Sequence, residues 1–402
     1  MSKPFSGVRV LDFTQVLAGP YATNHLALLG ADVIKIEQPN GGDQSREMLA
    51  VPGPLQENRL SPMFIAMNTG KRSLTLDLKN PEARDIVNRL VERADVLIQN
   101  FKAGTMERMG YGPEVLQKVN PRLIYCSISG FGQSGPKSKQ AAYDPAIQAA
   151  SGMMSITGHP DTGPVKTGFW ATDMATGVTA AFAIAGALFE RHTTGKGRSL
   201  DVSMLDTALS FMSPVVSIFQ NGGIVPGLYG NRSQTGSATS DVFPTGEGFL
   251  LIAAATPGQY AILCKAIGRP DLAEDPRFNT REGRVANAEP LRAAIVEALS
   301  TADAPTWESR IGAAGVPCAA VATVPQVVES PQVQHRRIIG AVAGPEGFGR
   351  DLSVVGLPFK LDGDDAATDV PPPLLGQHTD DILGEMGYTA EEVAALRAGG
   401  AV

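Results

Sequence analysis

In the stretch GFWATDMATGVTAAFAIAGALFERH (168–192), an acid stands at the head of a long apolar run. The pattern reads as a helix beginning near Thr172 and Asp173, with the Asp173 carboxyl group in its first turn. An acid there can simply cap the helix. The same helix-end amides also stabilise an ionised carboxylate, and an ionised carboxylate is a nucleophile. Small neighbours, Ala171, Ala175 and Gly177, leave room for a substrate to approach it. A second candidate is GFGQSG (130–135), which follows a strand and has the glycine spacing that lets a pyrophosphate meet a helix N-terminus. No acid closes a following strand about 20 residues on. SGPKSKQ after it reads as loop, so a plain glycine-rich turn is expected there rather than nicotinamide binding. The five histidines are scattered without ligand spacing, so no structural metal is expected. His159, in TGHPDTG, reads as a solvated loop residue.

Positioning these groups falls to alternating strands and helices. VRVLDF (8–13), DVIKIE (32–37), RSLTLDL (72–78), DVLIQN (95–100), RLIYCSISGF (122–131) and RSLDVSM (198–204) read as strands. A helix is expected over GPYATNHLALLGA, another from Asn80-Pro81 to about Ala94, and mostly helix from 144 to 190. Such alternation predicts an α/β fold, with a Rossmann-like parallel sheet covered on both faces. The Gly/Ser/Thr-rich segment at 221–245 lacks helical periodicity and marks a boundary. A smaller α/β domain follows, with strands FLLIAAA and PCAAVA and helices YAILCKAIG and LRAAIVEALS. The expected organisation is a large domain over 1–205 completed by 335–402, a linker helix over 206–224 and a small domain over 225–330.

At 402 residues and 43% hydrophobic, the chain is long enough for about two or three domains. No run of about 18 apolar residues appears, and the N-terminus has no signal-peptide pattern, so no membrane partner is expected. A net charge of −7 argues against a nucleic-acid partner but not against a phosphorylated small molecule, which a few local cations can hold. Cys126, Cys264 and Cys318 are odd in number and far apart. Cys126 and Cys264 lie in apolar runs and read as buried free thiols, which fits a reducing cytoplasmic location.

Five ordered segments carry a resemblance. DFTQVLAGPYAT (12–23), LLGADVIKIEQPNGGDQSR (28–46), GKRSLTLDLK (70–79), NFKAGTMERMGY (100–111) and ATDMATG (171–177) resemble family III CoA-transferases, the superfamily of formyl-CoA transferase and the α-methylacyl-CoA racemases. The resemblance runs with few breaks over 6–205, then more weakly to PLLGQHTDDIL (373–383). It implies that Asp173 attacks an acyl-CoA carbonyl, giving an enzyme–acyl anhydride and CoA thiolate. The thiolate then forms a thioester with Asp173, from which the acceptor acid takes CoA. Exchanging one thioester for another needs no outside energy source, but an anhydride must be kept from water and its oxyanion held by nearby amides.

The resemblance further implies that Gln15 and Val16 line the thiol end of CoA, where formyl-CoA transferase has histidine in place of Gln15. It places Asn100, Phe101 and Arg108 in the CoA-contacting stretch. Lys71 and Arg72 fall in its basic turn, suited to phosphates and, for arginine, to stacking on adenine; the alternative is a solvated turn. CoA is a substrate in this reading, and no permanently bound cofactor is expected. The racemases carry His–Asp where this chain has Tyr143-Asp144, and a racemase needs two acid–base groups. Tyr143 therefore favours transfer. The consecutive glycines of formyl-CoA transferase are missing, and GLYGNRSQTGS (227–237) stands as their replacement, with Arg232 a candidate carboxylate partner or an ordinary loop cation. This disfavours oxalate and leaves a dicarboxylate such as succinate as the expected donor or acceptor portion. Family members form interlocked homodimers, so a homodimer is expected. The alternatives are a racemase, a nicotinamide enzyme and a CoA-binding subunit without activity.

Overall fold

A computed structural model describes residues 3–233, 237–345, 348–365 and 367–402. The chain forms two compact units: 1–153 with 167–224 and 331–402, and 154–166 with 225–330.

The first unit is built on six strands: β1 (Arg9–Asp12), β2 (Asp32–Glu37), β3 (Arg72–Thr75), β4 (Val96–Gln99), β5 (Ile124–Ser129) and β6 (Ser199–Ser203). Every neighbouring pair is parallel, in the order β3-β2-β1-β4-β5-β6. Parallel strands need crossovers, and these put helices on both faces. On one face Val10, Val33, Ile98 and Cys126 pack with Ala22 and Leu26 of α1 (Ala18–Leu28) and Ala180 and Ile184 of a long helix, Ala171–Thr194. On the other, Leu11, Ile34, Leu97 and Tyr125 meet Ile86, Val87, Leu90 and Val91 of the helix Ala83–Glu92.

The C-terminal tail closes the exposed edge of β3. Ser73 N–H donates to His378 Nδ1, and Thr75 N–H to Thr379 Oγ1. Ile382 and Leu383 from the helix Thr379–Glu385 then join the core. An edge strand left with unpaired amides would otherwise template association.

Two expectations about the domain boundaries change. Helix dominates 144–190 as expected, through Asp144–Ala150, Met153–Ile156 and Ala171–Thr194, and the turn-like TGHPDTG between them forms a small hairpin of Gly158–His159 and Gly163–Pro164. Gly158 at φ +132°, Gly163 at φ +89° and two prolines cannot continue a helix. This hairpin belongs to the second unit, where Gly230 N–H donates to Gly158 O, although 154–166 fall inside the stretch expected for the large domain. Residues 206–224, expected as a linker, form two helices of the first unit, Met204–Phe211 and Ser213–Gly222, broken before Pro214.

The second unit has an antiparallel sheet of Ser240–Pro244, Phe249–Ala253 and Cys318–Ala320, with Phe249–Ala253 central. Its core gathers Phe243, Leu250, Ile252, Leu263, Ile295 and Trp307, whose indole N–H donates to Leu299 O. Cys126 and Cys264 are buried free thiols. Residues 234–236 of the expected 227–237 loop lie outside the described residues.

The helix Ala171–Thr194 is, by length and composition, long and apolar enough to cross a membrane. One side of it packs in the first unit, where Gly177 lies against α1 and Arg191 pairs with Asp95 at 2.7 Å, while Phe182 and Phe189 on it are exposed. A Cβ on Gly177 would sit 2.7 Å from Ala18 O, a backbone atom that cannot step aside. Gly177→Val should therefore push the two helices apart and destabilise the fold by about 1–3 kcal/mol. Denaturant unfolding checks this, and an unchanged midpoint would contradict the packing described.

Candidate active site

In an open parallel sheet, a crevice forms where the strand order reverses, outside the carboxyl ends of the two central strands. Here those strands are β1 and β4, and the crevice holds a cavity of about 270 Å³. Gln15 and Val16 enter it from the loop after β1, and Asn100, Phe101 and Lys102 from the loop after β4. Gln44, Tyr143 and Asp173 complete its polar wall, beside Ser129 and Gly130 from the glycine-rich turn. Gly132 and Gly135 of that turn have positive φ, and no helix starts until Asp144. This is a turn rather than a phosphate-cradling helix start.

Two loops from separate strands are tied by reciprocal bonds. Gln15 N–H donates to Asn100 Oδ1 at 2.9 Å, and Asn100 Nδ2 donates to Gln15 O at 2.8 Å. Asn100 thus acts as a splint across the crevice, leaving the Gln15 side chain at its rim. Phe101 is fixed through its N–H on Gln99 Oε1.

The nucleophile candidate differs from expectation in one respect. Helix-end amides do not stabilise the Asp173 carboxylate; they are taken by Asp144. Asp144 Oδ2 accepts Thr172 N–H at 2.7 Å, Thr172 Oγ1 at 2.7 Å and Asp173 N–H at 3.1 Å. Trp170, at the N-cap position, contributes no side-chain bond, so Asp144 is the cap, supplied from another helix. Gln148 donates from Nε2 to Asp144 Oδ1 and accepts Thr167 N–H, fixing the approach to the helix. Among the described residues nothing donates to the Asp173 carboxylate. Burial, and then the Asp144 charge, push its pKa up to about 7. The group therefore exchanges its proton near neutrality and ionises without a stabilising partner, which suits a nucleophile or a base.

The other predicted residues separate. Tyr143 lines the cavity with its side chain largely exposed. Lys71 does not reach it: the ammonium is fully buried, bonded to Asp12 Oδ2, Asn68 Oδ1 and Pro20 O. Arg72 sits at the N-terminal end of β3, paired with Asp32 and Glu385, at the opposite end of the sheet from the cavity. Arg108 is not in the cavity lining; its guanidinium bonds Thr105 Oγ1. In the second unit, Arg232 is paired with Glu289 and lies 3.6 Å from Asp241, so its charge is met within that unit. His159 lines a separate cavity of that unit. Sequence reasoning missed Gln44, Lys102 and the capping role of Asp144. Lys102 stood beside the quoted Asn100-Phe101, but nothing in the sequence links residue 144 to the start of a helix at 171.

A family model for CoA-transferase family III matches residues 5–379. The chain belongs to this family. It is similar to a mouse succinyl-CoA:glutarate CoA-transferase, 36% identical over 96% of this chain and 86% of that protein. It is also similar to an acetyl-CoA:oxalate CoA-transferase of Acetobacter aceti, 40% identical over 90% of each. A crystal structure of a CaiB/BaiF family protein from Brucella suis superposes with a TM-score of 0.86 at 34% identity, covering 96% of this chain and all of that one. The chain is thus a CoA-transferase, and CoA thioesters are the substrates of this class.

Two outcomes follow from the Asp173 environment. With the ionised Asp173 carboxylate as the candidate attacking group, kcat/KM is expected to rise with pH through about 7. Asp144→Asn should move that inflection downward by part of the rise, since burial remains; an unmoved inflection would separate the two carboxylates. For stability the sign is the reverse of the usual acid. The folded chain holds the Asp173 proton more tightly than the unfolded chain does, so stability falls as pH climbs from 3.8 to about 7. Asp173→Asn should raise the melting temperature at alkaline pH and lose that advantage in acid.

Proposed function

We propose that this family III enzyme moves CoA from an acyl-CoA to a carboxylate acceptor through covalent intermediates on Asp173. The observation that carries this reading is the Asp173 carboxylate: in the switch-point cavity, with no donor to it among the described residues, and beside the buried Asp144 carboxylate. Its oxygen attacks the thioester carbonyl, the C–S bond breaks, and an aspartyl–acyl anhydride and CoA thiolate form. The thiolate attacks the aspartyl carbonyl, releasing the donor acid and leaving an aspartyl–CoA thioester. The acceptor carboxylate then displaces CoA to form a second anhydride. Thiolate attack on its acyl carbonyl gives the new thioester and restores Asp173.

Asp144 bears on each covalent step. In the resting enzyme two carboxylates lie close together at low dielectric, which is costly. Acylation or thioesterification of Asp173 removes one of the two charges, so the covalent states are relieved of repulsion that the free carboxylate bears. Gln15 and Tyr143 stand at the same cavity and would orient the acyl group. For CoA itself, Val16, Phe101 and Lys102 are the contacts this cavity offers, while Lys71 and Arg72 are engaged elsewhere.

The relatives named above act on glutarate or oxalate, and one from Haloarcula hispanica, 38% identical, is a succinyl-CoA:mesaconate CoA-transferase. These acceptors share two carboxylates. We take the acceptor to be a dicarboxylate and the donor to be succinyl-CoA. Oxalate returns to consideration despite the missing glycine run, since a 40%-identical relative is named for it. A homodimer fits the exposed Phe182, Phe189 and Phe211 of the first unit, an apolar surface that a second copy would cover. Light scattering at the mass of a single chain would remove it.

The test is mass spectrometry of thioester products in deuterated water, with succinyl-CoA, acetyl-CoA or a branched acyl-CoA and a panel of dicarboxylates. A new thioester matching an added acid is expected. A branched thioester returned with solvent deuterium and no exchange would mean a racemase.

A further inference from the structure

Val16 is a β-branched residue at φ +70°, in the left-handed region that such side chains avoid most strongly. It lines the Asp173 cavity, and strain of this kind persists only where surrounding structure imposes it. The structure shows what imposes it. Asp43 Oδ1 accepts Val16 N–H at 3.1 Å and also Ser45 N–H and Ser45 Oγ, each at 2.8 Å. Its other oxygen, Oδ2, lies 2.7 Å from Lys35 Nζ, with both side chains fully buried. Lys35 also donates to Thr14 O at 2.9 Å, so the same ammonium holds the loop two residues earlier.

With the neighbouring bonds, the hold on this loop is nearly complete. Thr14 N–H is taken by Asp12 Oδ1, and Gln15 N–H and C=O are both taken by Asn100. Five consecutive backbone groups, from Thr14 N–H to Val16 N–H, are thus bound by side chains rather than by regular secondary structure. The turn that carries Asp43 is itself fixed to β2, because Asp43 N–H donates to Glu37 Oε2 and Glu37 is paired with Arg46 at 2.6 Å. Lys35 and Glu37 are charged residues inside a buried parallel strand, where apolar side chains would give a simpler core. Burial works against the Lys35 charge, but the carboxylates of Asp43, Asp12 and Glu37 outweigh it and keep the lysine protonated.

We propose that Lys35 and Asp43 are positioning residues for CoA transfer: the buried pair holds Val16 in the left-handed conformation and so fixes the Gln15–Val16 peptide at the mouth of the Asp173 cavity. The role in turnover rests on the proposed use of that cavity; the conformational claim does not. A buried ion pair is seldom the most stable choice for a core, and one that fixes a single strained backbone geometry has a reason to be there. Glycine adopts positive φ without the penalty a Cβ brings, which separates holding a conformation from merely filling space.

The test uses the full-length enzyme. Asp43→Asn, which cannot both pair with Lys35 and keep the same bonds to the loop, is expected to lower kcat on the order of tenfold or more, the size of effect that misplacement at a reacting centre produces. Adding Val16→Gly to Asp43→Asn should recover most of that loss, bringing the double variant near the Val16→Gly single variant. A double variant no faster than Asp43→Asn would overturn the proposal. Independently of turnover, and even if Asp43→Asn does not fold, Val16→Gly should melt above Val16→Ala in the otherwise unaltered chain. Alanine melting above glycine would show that residue 16 is not held in the left-handed region, and would also overturn it. If the melting order holds but Asp173→Ala turns over as wild type, the fault lies with the function proposed for the cavity and not with the hold on Val16.

Discussion

The chemistry of this site depends on which carboxylate receives the amides at the start of the helix Ala171–Thr194. Those amides are a limited resource, since only the first turn of a helix has free N–H groups. Asp144 takes the N–H groups of Thr172 and Asp173 and the Thr172 hydroxyl with one oxygen. Had Asp173 capped its own helix, its carboxylate would be stabilised, its pKa depressed and its nucleophilicity spent on backbone. Instead the helix is capped from outside, and Asp173 is left facing the cavity with a pKa near 7. The same three bonds that fix the helix start also fix the backbone from which Asp173 projects.

Around that start, the fold supplies position rather than charge. Because the sheet runs β3-β2-β1-β4-β5-β6, the loops after β1 and β4 meet at one crevice, and the Gln15–Asn100 bonds tie them together. The long helix can approach because Gly177 lets it lie against α1. The buried ions beneath the crevice (Asp12, Lys35, Glu37, Asp43, Arg46 and Lys71) are joined in ion pairs that rigidify the loop floor. Removing one partner of such a pair leaves a buried charge unpaired, a loss of about 3–5 kcal/mol.

Much of this was legible before any coordinates. The strands and the αβ alternation follow from apolar patterning, although DVIKIE also buries Lys35 and Glu37, which that patterning does not announce. Asp173 could be singled out only through the resemblance of ATDMATG, because an acid at the head of an apolar helix reads equally well as a cap. What the sequence hid were partners distant in the chain. Lys71 and Arg72 looked like a phosphate-binding turn, yet one faces Asp12 in the core and the other Asp32 at the far end of the sheet. The type of a residue says that it needs a counter-charge, not which one it will find. Asp144 was missed as a cap for the same reason, since its partners lie 28 and 29 residues on. The turn within the helical stretch 144–190 was readable from Gly158, Pro160, Gly163 and Pro164, local breakers between apolar segments, but its membership of the second unit was not.

The central claim is that Asp173 carries the covalent intermediate, and trapping it is the most direct measurement. The enzyme would be mixed with succinyl-CoA without acceptor, treated with borohydride, digested and analysed by peptide mass spectrometry. An aspartyl thioester is reduced to the corresponding alcohol, so the peptide containing residue 173 should carry homoserine in place of aspartate, and only after exposure to the thioester. An unmodified peptide in an enzyme that is turning over, or the reduced residue at another carboxylate, would contradict the account.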